Sequence, residues 1–340
     1  MPAWVSSRLD NLLPWYDANK RGLPWRGSRN PYAIWVSEIM LQQTQVATVI
    51  PYFLRWIERF PTVHTLAAAS EQDVLALWQG LGYYRRCRML LKGAQFILSE
   101  GMPRTAQEWQ TVPGVGRYTA GAIASIANGE VTPLVDGNVE RVFARLTGSD
   151  LCGQKLTSSA WQWAERTIDR TRPGDHNQAL MELGATICKP QIPACASCPL
   201  KAQCIAFATS SQGSLPVKTK PRQTVALRQC VTVHYSQGRF GLRQIPDGEW
   251  WQGMWEFPRS DGDKARPTGR NLGTIRHAVT HHKITLDVFL VKDGNPTLTW
   301  YSQDELANLP LPSPQRRVLK IALAHLRAFE QAAKTSAATA

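Results

Sequence analysis

The sequence predicts a multidomain fold in which an all-α domain is followed by a smaller α+β domain. In the first 205 residues apolar side chains recur with the spacing of helices, whereas after residue 222 they alternate with a period of two before a final helix. Between these parts, residues 208–222 are rich in Ser, Lys and Pro and have no periodicity, which is typical of a linker. We therefore place the domains at 1–207 and 223–340, with 208–222 as the linker.

Helical spacing is clearest in two segments of the first domain. One helix is stopped by Pro61, and its apolar face contains Val46, Val49, Ile50, Phe53, Leu54 and Ile57. The second begins near Asn138, a candidate N-cap, and its apolar face contains Val139, Val142, Phe143 and Leu146. A third helix is predicted at about 177–187, and glycine-rich turns at 80–82 and 113–116 separate the helices.

The second domain combines strands with a helix. Residues 225–235 and 240–243 flank a Ser-Gln-Gly-Arg turn and predict a hairpin, and residues 284–291 alternate as a strand does. The apolar face of the final helix contains Leu319, Ala322, Leu323, Leu326 and Phe329. These elements make the second domain α+β.

Composition narrows the class of protein. The 340 residues carry 39 basic and 26 acidic side chains, a formal net charge of +13, which favours a polyanionic partner over the alternative of solubility alone. The sequence contains no run of about 18 apolar residues, so no membrane span is predicted. No signal peptide is visible either, and we therefore expect a cytoplasmic protein. With seven cysteines, a disulfide framework is not expected, and three of them are interpreted as small buried residues: Cys87, Cys152 and Cys230.

The other four cysteines form the strongest motif in the sequence. Their spacing is Cys188-x6-Cys195-x2-Cys198-x5-Cys204. Zinc sites commonly use two separated CxxC pairs, and only one such pair is present, so four thiolates on one compact loop favour a [4Fe–4S] cluster. The cluster is either redox-active or a structural staple, and the neighbouring Lys189 and Lys201 favour a staple that presents positive charge to phosphate.

A tight turn supplies a second signal. In the segment VPGVGRYTA at 112–120, Gly114 and Gly116 lie just before a predicted helix, whose exposed backbone N–H groups can bind phosphate without reading a base. A Gly-x-Gly turn alone is a weak signal. It gains weight from Asp136-Gly-Asn138, which follows 20 residues later.

Two carboxylates are candidates for chemistry, each with an ordinary alternative. Asp136 lies just before a predicted helix, where capping is the commoner role of an aspartate. Glu38 lies in the apolar segment IWVSEIMLQQTQ, so it is either a surface residue or one whose pKa is raised by desolvation. Residue patterns alone leave both choices open.

The combined motifs resemble those of a known family. The segments SEIMLQQTQV, GLGYYRRCR, VPGVGRYTAGAI and LVDGNVERV, with the four-cysteine loop, resemble the helix-hairpin-helix DNA glycosylase superfamily and, within it, the MutY-type adenine DNA glycosylases. The resemblance covers nearly the whole chain. Residues 253–258 and 277–282 resemble the MutT-like (Nudix) C-terminal domain of that family, but the Nudix catalytic box is missing. The resemblance therefore implies a domain that recognises a damaged base without hydrolysing nucleotides.

The resemblance also implies a reaction, namely hydrolysis of the N-glycosidic bond of adenine mispaired with 8-oxoguanine or guanine, as the first step of base excision repair. By similarity, Glu38 is the acid that protonates adenine at N7, and Asp136 stabilises the oxocarbenium-like sugar, with or without a covalent intermediate. Asn138 and Tyr118 support this pair. Lyases of the superfamily carry a nucleophilic Lys at the position of Tyr118, so a monofunctional enzyme is expected.

Further residues carry over by position. The adenine pocket is implied for Trp25, Arg26, Leu41 and Glu182. Contacts with DNA or 8-oxoguanine are implied for Gln43, Tyr83, Gly114, Gly116, Thr280 and His281, and the alternative for Tyr83 is core packing. Thr280 and His281 match a Phe-Ser/Thr-His turn, although Val279 replaces the Phe of the family.

The resemblance thus implies a [4Fe–4S] cofactor and, as partner, duplex DNA containing adenine opposite 8-oxoguanine or guanine. A monomer at the nucleoid of a bacterial cytoplasm is expected. The nearest enzymatic alternative is an endonuclease III-like lyase, which Tyr118 and the second domain disfavour. A non-catalytic iron–sulfur DNA-binding module is the alternative from another class, and it would require Glu38 and Asp136 to be structural.

Overall fold

The computed structural model describes residues 9–218, 223–262 and 266–338 and divides the chain into two compact units. The helical unit contains Met1–Ala69 and Arg88–Lys220, and the C-terminal unit contains Ser70–Cys87 and Pro221–Ala340. The grouping of Ser70–Cys87 with residues far along the chain is not visible in the sequence. Residues 1–8 of the predicted first domain and 219–222 of the predicted linker lie outside the described residues.

The part of the chain before the linker is built from helices. Their bounds are α1 Leu12–Asn19, α2 Pro31–Leu41, α3 Val46–Arg59, α4 Val63–Ala67, α5 Glu71–Trp78, α6 Arg85–Glu100, α7 Ala106–Trp109, α8 Arg117–Asn128, α9 Gly137–Thr147, α10 Gly153–Thr167, α11 Pro173–Thr186 and α12 Ile205–Ala208. Elements α3 and α9 confirm the two helices predicted from apolar spacing. The third predicted helix, α11, begins earlier than expected because a proline is well suited to the first helical position.

Close packing of three helices shapes the centre of the helical unit. Helices α8, α9 and α11 share one buried core around Phe143, Leu180 and Leu183. At Gly184 of α11, an added Cβ would lie 2.5 Å from the Cβ of Asn138, so only glycine allows α11 to approach the start of α9 this closely. The starts of α8 and α9 are thereby brought beside α11.

The C-terminal unit contains a seven-stranded sheet and two further helices besides α5. The elements are β1 Val225–Ser236, β2 Arg239–Gln244, β3 Trp255–Glu256, β4 Arg259–Asp261, β5 Arg270–Val279, β6 His282–Val291, β7 Thr299–Tyr301, α13 Gln303–Asn308 and α14 Ser313–Ala338. The strand order is β3-β2-β1-β6-β5, with β4 on β1 and β7 on β2, and only the β1–β6 pairing is parallel. The predicted hairpin, strand and final helix are confirmed.

The structure tests the expected burial of the three isolated cysteines. Cys87 and Cys230 are fully buried as expected, but Cys152 is exposed, because it lies at the N-cap of α10 on the surface. Among the helices in the described residues, none is long and apolar enough to cross a bilayer.

Candidate active site

A cleft of about 720 Å³ opens in the helical unit. It is lined by the end of α2, the starts of α8 and α9, and one face of α11. Ten of the residues singled out in the sequence line it: Trp25, Arg26, Glu38, Leu41, Gln43, Gly116, Tyr118, Asp136, Asn138 and Glu182. Thr280, His281 and Tyr83 belong to the C-terminal unit and are not part of this lining.

Glu38 is a buried acid. It lies on α2, and only 5% of the residue is exposed. The Tyr118 hydroxyl donates a 2.7 Å hydrogen bond to its Oε2. Burial raises the pKa of Glu38 to about 7, against the lowering effect of the Tyr118 hydrogen bond, and the nearby Asp136 adds to the rise. The sequence left open whether Glu38 is a surface residue or a desolvated one, and the structure shows that it is desolvated.

Asp136 caps α9 and also lines the cleft. Its Oδ1 accepts hydrogen bonds from the backbone N–H groups of Asn138 and Val139, at 2.9 and 2.8 Å. The predicted N-cap at Asn138 is therefore wrong by two residues: α9 begins at Gly137, because the Asp136 carboxylate satisfies the first free N–H groups. Capping uses Oδ1 only, and Oδ2 of Asp136 accepts a 2.8 Å hydrogen bond from Nδ2 of Asn138. Capping and a place in the cleft are thus compatible.

A chain of hydrogen bonds runs from Asp136 to the four-cysteine loop. The Oδ1 of Asn138 accepts from Nη2 of Arg141 at 2.7 Å, and Nε of Arg141 donates to the carbonyl of Cys188 at 2.8 Å. Sequence reasoning missed Arg141, although it lies three residues after Asn138, the helical spacing at which two side chains meet.

An ion-pair cluster around the buried Glu182 forms the other wall of the cleft. Glu182 on α11 accepts from Arg21 and Arg26, with Arg21 Nε at 2.6 Å from Oε1. Burial tends to raise the pKa of Glu182, but the hydrogen bonds from both arginines outweigh it and lower the pKa to about 2. Trp25 is buried here in edge contact with Phe53. Arg21 was not anticipated from the sequence, because its partner lies 161 residues away.

The glycine turn before α8 has the geometry of an anion site. Gly114 has φ +83°, and a Cβ there would lie 2.4 Å from the Cβ of Met89, so no other residue fits. Gly116 is the N-cap of α8 and has no side-chain cap, so backbone N–H groups of the first turn are available to a ligand.

The four cysteine side chains line one small cavity between α9, the end of α11 and the loop that follows. Arg145 is buried against this loop: its Nη1 donates to the carbonyl of Lys189 at 2.7 Å and its Nη2 to that of Pro190 at 2.9 Å. Its Nε donates to the carbonyl of Leu215 at 3.0 Å. Within the described residues, no three Cys, His, Asp or Glu side chains converge closely enough to hold a single metal ion.

Three of the residues singled out for DNA or 8-oxoguanine contact share an uncommon backbone conformation. Gln43, Tyr83 and Thr280 have φ of +56°, +49° and +53°. Non-glycine residues rarely adopt the left-handed region, and those that do concentrate at functional sites. Tyr83 is 52% exposed on its turn, so the core-packing alternative is wrong.

The chain matches two family models. Residues 36–165 match the HhH-GPD superfamily of base excision DNA repair proteins, and residues 229–321 match the NUDIX domain. These matches confirm the predicted order of a helix-hairpin-helix domain and a MutT-like α+β domain.

Two similar proteins carry the name adenine DNA glycosylase. The chain is 37% identical to the one from Arabidopsis thaliana over 93% of its own length, and 36% identical to the one from Mus musculus over 98%. It spans 64% of the length of the plant protein and 81% of the mouse protein. Among solved structures, a non-covalent endonuclease III–DNA complex matches 59% of this chain and 94% of its own with 25% identity and a TM-score of 0.52.

Proposed function

This chain belongs to the adenine DNA glycosylase family, and from that premise we propose how its cleft performs the removal of adenine that begins base excision repair. The observation that carries the proposal is the pair of carboxyl groups in one cleft, Glu38 buried with a raised pKa and Asp136 held by three hydrogen bonds. Adenine must leave the base stack to reach them.

Breaking the glycosidic bond leaves electrons on the base and positive charge on the sugar. A neutral carboxylic acid at the base and a carboxylate at the sugar meet both demands. With a pKa of about 7, Glu38 keeps its proton in a substantial part of the molecules at neutral pH and donates it to adenine N7 as the bond breaks. The Asp136 carboxylate then stabilises the cationic sugar until water adds to its C1′ carbon.

The ion-pair cluster suits recognition of the flipped base. Because Arg21 and Arg26 keep Glu182 ionised, its carboxylate is an acceptor-only group, and the exocyclic amine of adenine is a donor. Trp25 and Leu41 supply apolar contact for the ring. Tyr118, held by Glu38, has no amine with which to form a Schiff base, so the enzyme is monofunctional and a borohydride trap with this protein is expected to give no covalent DNA adduct.

A [4Fe–4S] cluster fits the four-cysteine cavity. The donor set is Cys188, Cys195, Cys198 and Cys204, whose side chains line one small cavity, and four thiolates on a compact loop are the usual ligands of such a cluster. The four thiolates would hold the cluster, which would crosslink the loop, while Arg141 and Arg145 tie the loop to α9.

Metal analysis tests this assignment. Purified protein is expected to be brown and to contain about four irons per chain and no stoichiometric zinc. Cys198→Ala is expected to lose iron and much of its folded yield, since a closed metal site contributes directly to folding free energy. Cys152→Ala is the matched control, because this exposed cysteine lies outside the cavity, and it should keep full iron content. Stoichiometric zinc in protein made under anaerobic, iron-replete conditions contradicts the assignment.

The partner we propose is duplex DNA with adenine opposite 8-oxoguanine or guanine, bound by a monomer at the nucleoid of a bacterial cytoplasm. The formal charge of +13 and the free N–H groups at the start of α8 support contact with phosphates. In the C-terminal unit, the Thr280 hydroxyl donates its proton to the carbonyl of Val279 at 2.7 Å, and its oxygen lies 3.4 Å from Nδ1 of both His281 and His282. Because its proton is already used, the hydroxyl can act toward a ligand only as an acceptor. The N7–H of 8-oxoguanine is a donor, whereas N7 of guanine is an acceptor, so this hydroxyl favours the oxidised base.

Removing that hydroxyl tests the discrimination. Thr280→Val is expected to lower the ratio of single-turnover rates on adenine·8-oxoguanine and adenine·guanine duplexes by roughly 2- to 10-fold, because one neutral hydrogen bond is lost. Thr280→Ser keeps the hydroxyl and should keep the ratio. If both variants behave alike, Thr280 is not a reader of the oxidised base.

One experiment separates the proposed function from its alternatives. A single-turnover assay on an adenine·8-oxoguanine duplex is expected to release adenine and leave an intact abasic strand, which alkali then cleaves. Strand cleavage without alkali would indicate the endonuclease III-like lyase. Binding without release of adenine would indicate a non-catalytic DNA-binding module.

A further inference from the structure

A closed loop of the C-terminal unit presents a tryptophan in a strained conformation. The loop of residues 246–253 is closed at its base by two hydrogen bonds of 2.8 Å between the backbones of Ile245 and Met254 and of Gly253 and Ile245. Within it, Nε2 of Gln252 donates to Asp247 at 2.6 Å. These bonds fix Trp251 at φ +64°, where a bulky side chain is a true outlier. Such strain persists only where the surroundings impose it, and it concentrates at functional sites.

Trp251 does not serve the hydrophobic core. The neighbouring Trp250 packs against the core cluster of this unit, whereas Trp251 is half-buried outside it. The centroid of its ring lies 6.0 Å from the ring centroid of His277. The same centroid lies 5.8 Å from the guanidinium carbon of Arg259. Among the described residues, neither ring nitrogen of His277 has a hydrogen-bond partner. The strained tryptophan therefore covers polar groups, so burial of apolar surface does not account for its position.

The loop of residues 246–253 adjoins the turn that carries Thr280. The rings of Trp250 and His282 are 5.0 Å apart, and His282 pairs with Val279 across the β5–β6 turn. Thr280 is also in the left-handed region, so two neighbouring turns each hold a non-glycine residue there. The flanking residues 276–283 include Arg276 and Lys283, both exposed, and contain no acidic side chain. This surface places aromatic rings beside positive charge, a combination that is typical of surfaces that bind nucleic acids.

We propose that Trp251 is a DNA-binding residue, whose ring packs on the DNA strand that carries 8-oxoguanine while Thr280 reads the oxidised base. The inference rests on the proposed function, since it assigns Trp251 a role in the same recognition event. Contact with an aromatic face tolerates any base sequence, so Trp251 adds affinity for the strand and holds the oxidised base within reach of Thr280.

Paired variants of the full-length protein test the role of Trp251. Trp251→Leu is expected to bind a duplex containing 8-oxoguanine opposite a non-cleavable adenine analogue about tenfold more weakly, because a stacked aromatic contact is lost. Trp251→Phe keeps an aromatic face and should bind within about threefold of wild type. Phe329→Ala is the control, since this aromatic is 54% exposed in the same unit and lies against Lys292 at the far end of β6 from the Thr280 turn. Equal affinity for the Leu variant and wild type overturns the proposal.

A second measurement needs no variant. Ultraviolet irradiation of wild-type protein with a duplex carrying 5-iodouracil next to 8-oxoguanine is expected to crosslink Trp251, as identified by peptide mapping. A crosslink that maps to other residues only, in a complex that excises adenine normally, overturns the assignment of Trp251 and leaves the glycosylase function intact. Loss of excision in wild-type protein would instead overturn the proposed function itself.

Discussion

Glu38→Gln is expected to abolish excision of adenine while leaving duplex binding nearly intact. Glutamine keeps the size of the side chain and can still accept the Tyr118 hydrogen bond, but its amide is not acidic and cannot transfer a proton to N7. Loss of a general acid costs about 10²- to 10⁴-fold in rate. Single-turnover excision and an equilibrium binding titration measure the two properties separately. A variant that keeps more than roughly a tenth of the wild-type rate contradicts the assignment of Glu38 as the acid.

The pH dependence follows from the same group. Well below its pKa of about 7, Glu38 is protonated in all molecules, so the rate should fall as pH rises through that value. The hydrogen bond from Tyr118 opposes the rise in this pKa, and Tyr118→Phe should therefore move the alkaline fall of the rate to higher pH. An unchanged profile in Tyr118→Phe would mean that a different group titrates.

Asp136→Asn is expected to lose about 10²- to 10³-fold in single-turnover rate, because a neutral amide cannot balance the charge on the sugar. Its amide oxygen can still accept from the backbone of Asn138 and Val139, so α9 should stay capped and the unfolding temperature should change little.

A matched control separates the capping role from the charge. Asp169 also accepts two backbone N–H groups, from Thr171 and Arg172, but does not line the cleft. Asp169→Asn should therefore keep the wild-type rate. If Asp136→Asn is as active as this control, Asp136 has a capping role only.

Sequence periodicity could predict the helices and strands because local spacing determines them. It placed α3, α9 and the β1–β2 hairpin well. Spacing also identified the four cysteines as candidate ligands, whereas the proposed roles of Glu38 and Asp136 came from the family resemblance. It could not choose between an exposed and a buried Glu38, since burial depends on helices packed from elsewhere in the chain. The partnership of Arg21 with Glu182, across 161 residues, has no local signal at all.

Some errors came from single contacts that spacing does not record. The N-cap of α9 is Asp136 and not Asn138, because the Asp136 carboxylate accepts two backbone N–H groups. Cys152 was expected inside because cysteine is commonly buried, yet a position at the surface start of α10 exposes it. The functional roles of the cleft residues remain predictions for the experiments above.

The membership of Ser70–Cys87 in the C-terminal unit has a consequence for synthesis on the ribosome. Within that unit, Nε2 of Gln79 donates to the carbonyl of Leu311 at 3.0 Å, across 232 residues of chain. The segment therefore leaves the exit tunnel long before its partners are synthesised. It stays unpaired while residues 88–220 of the helical unit are made. Contacts this distant in sequence slow folding and prolong the time for which apolar surface is open to aggregation or to chaperones. The nascent protein is thus most vulnerable late in translation, after most of its helices have been synthesised.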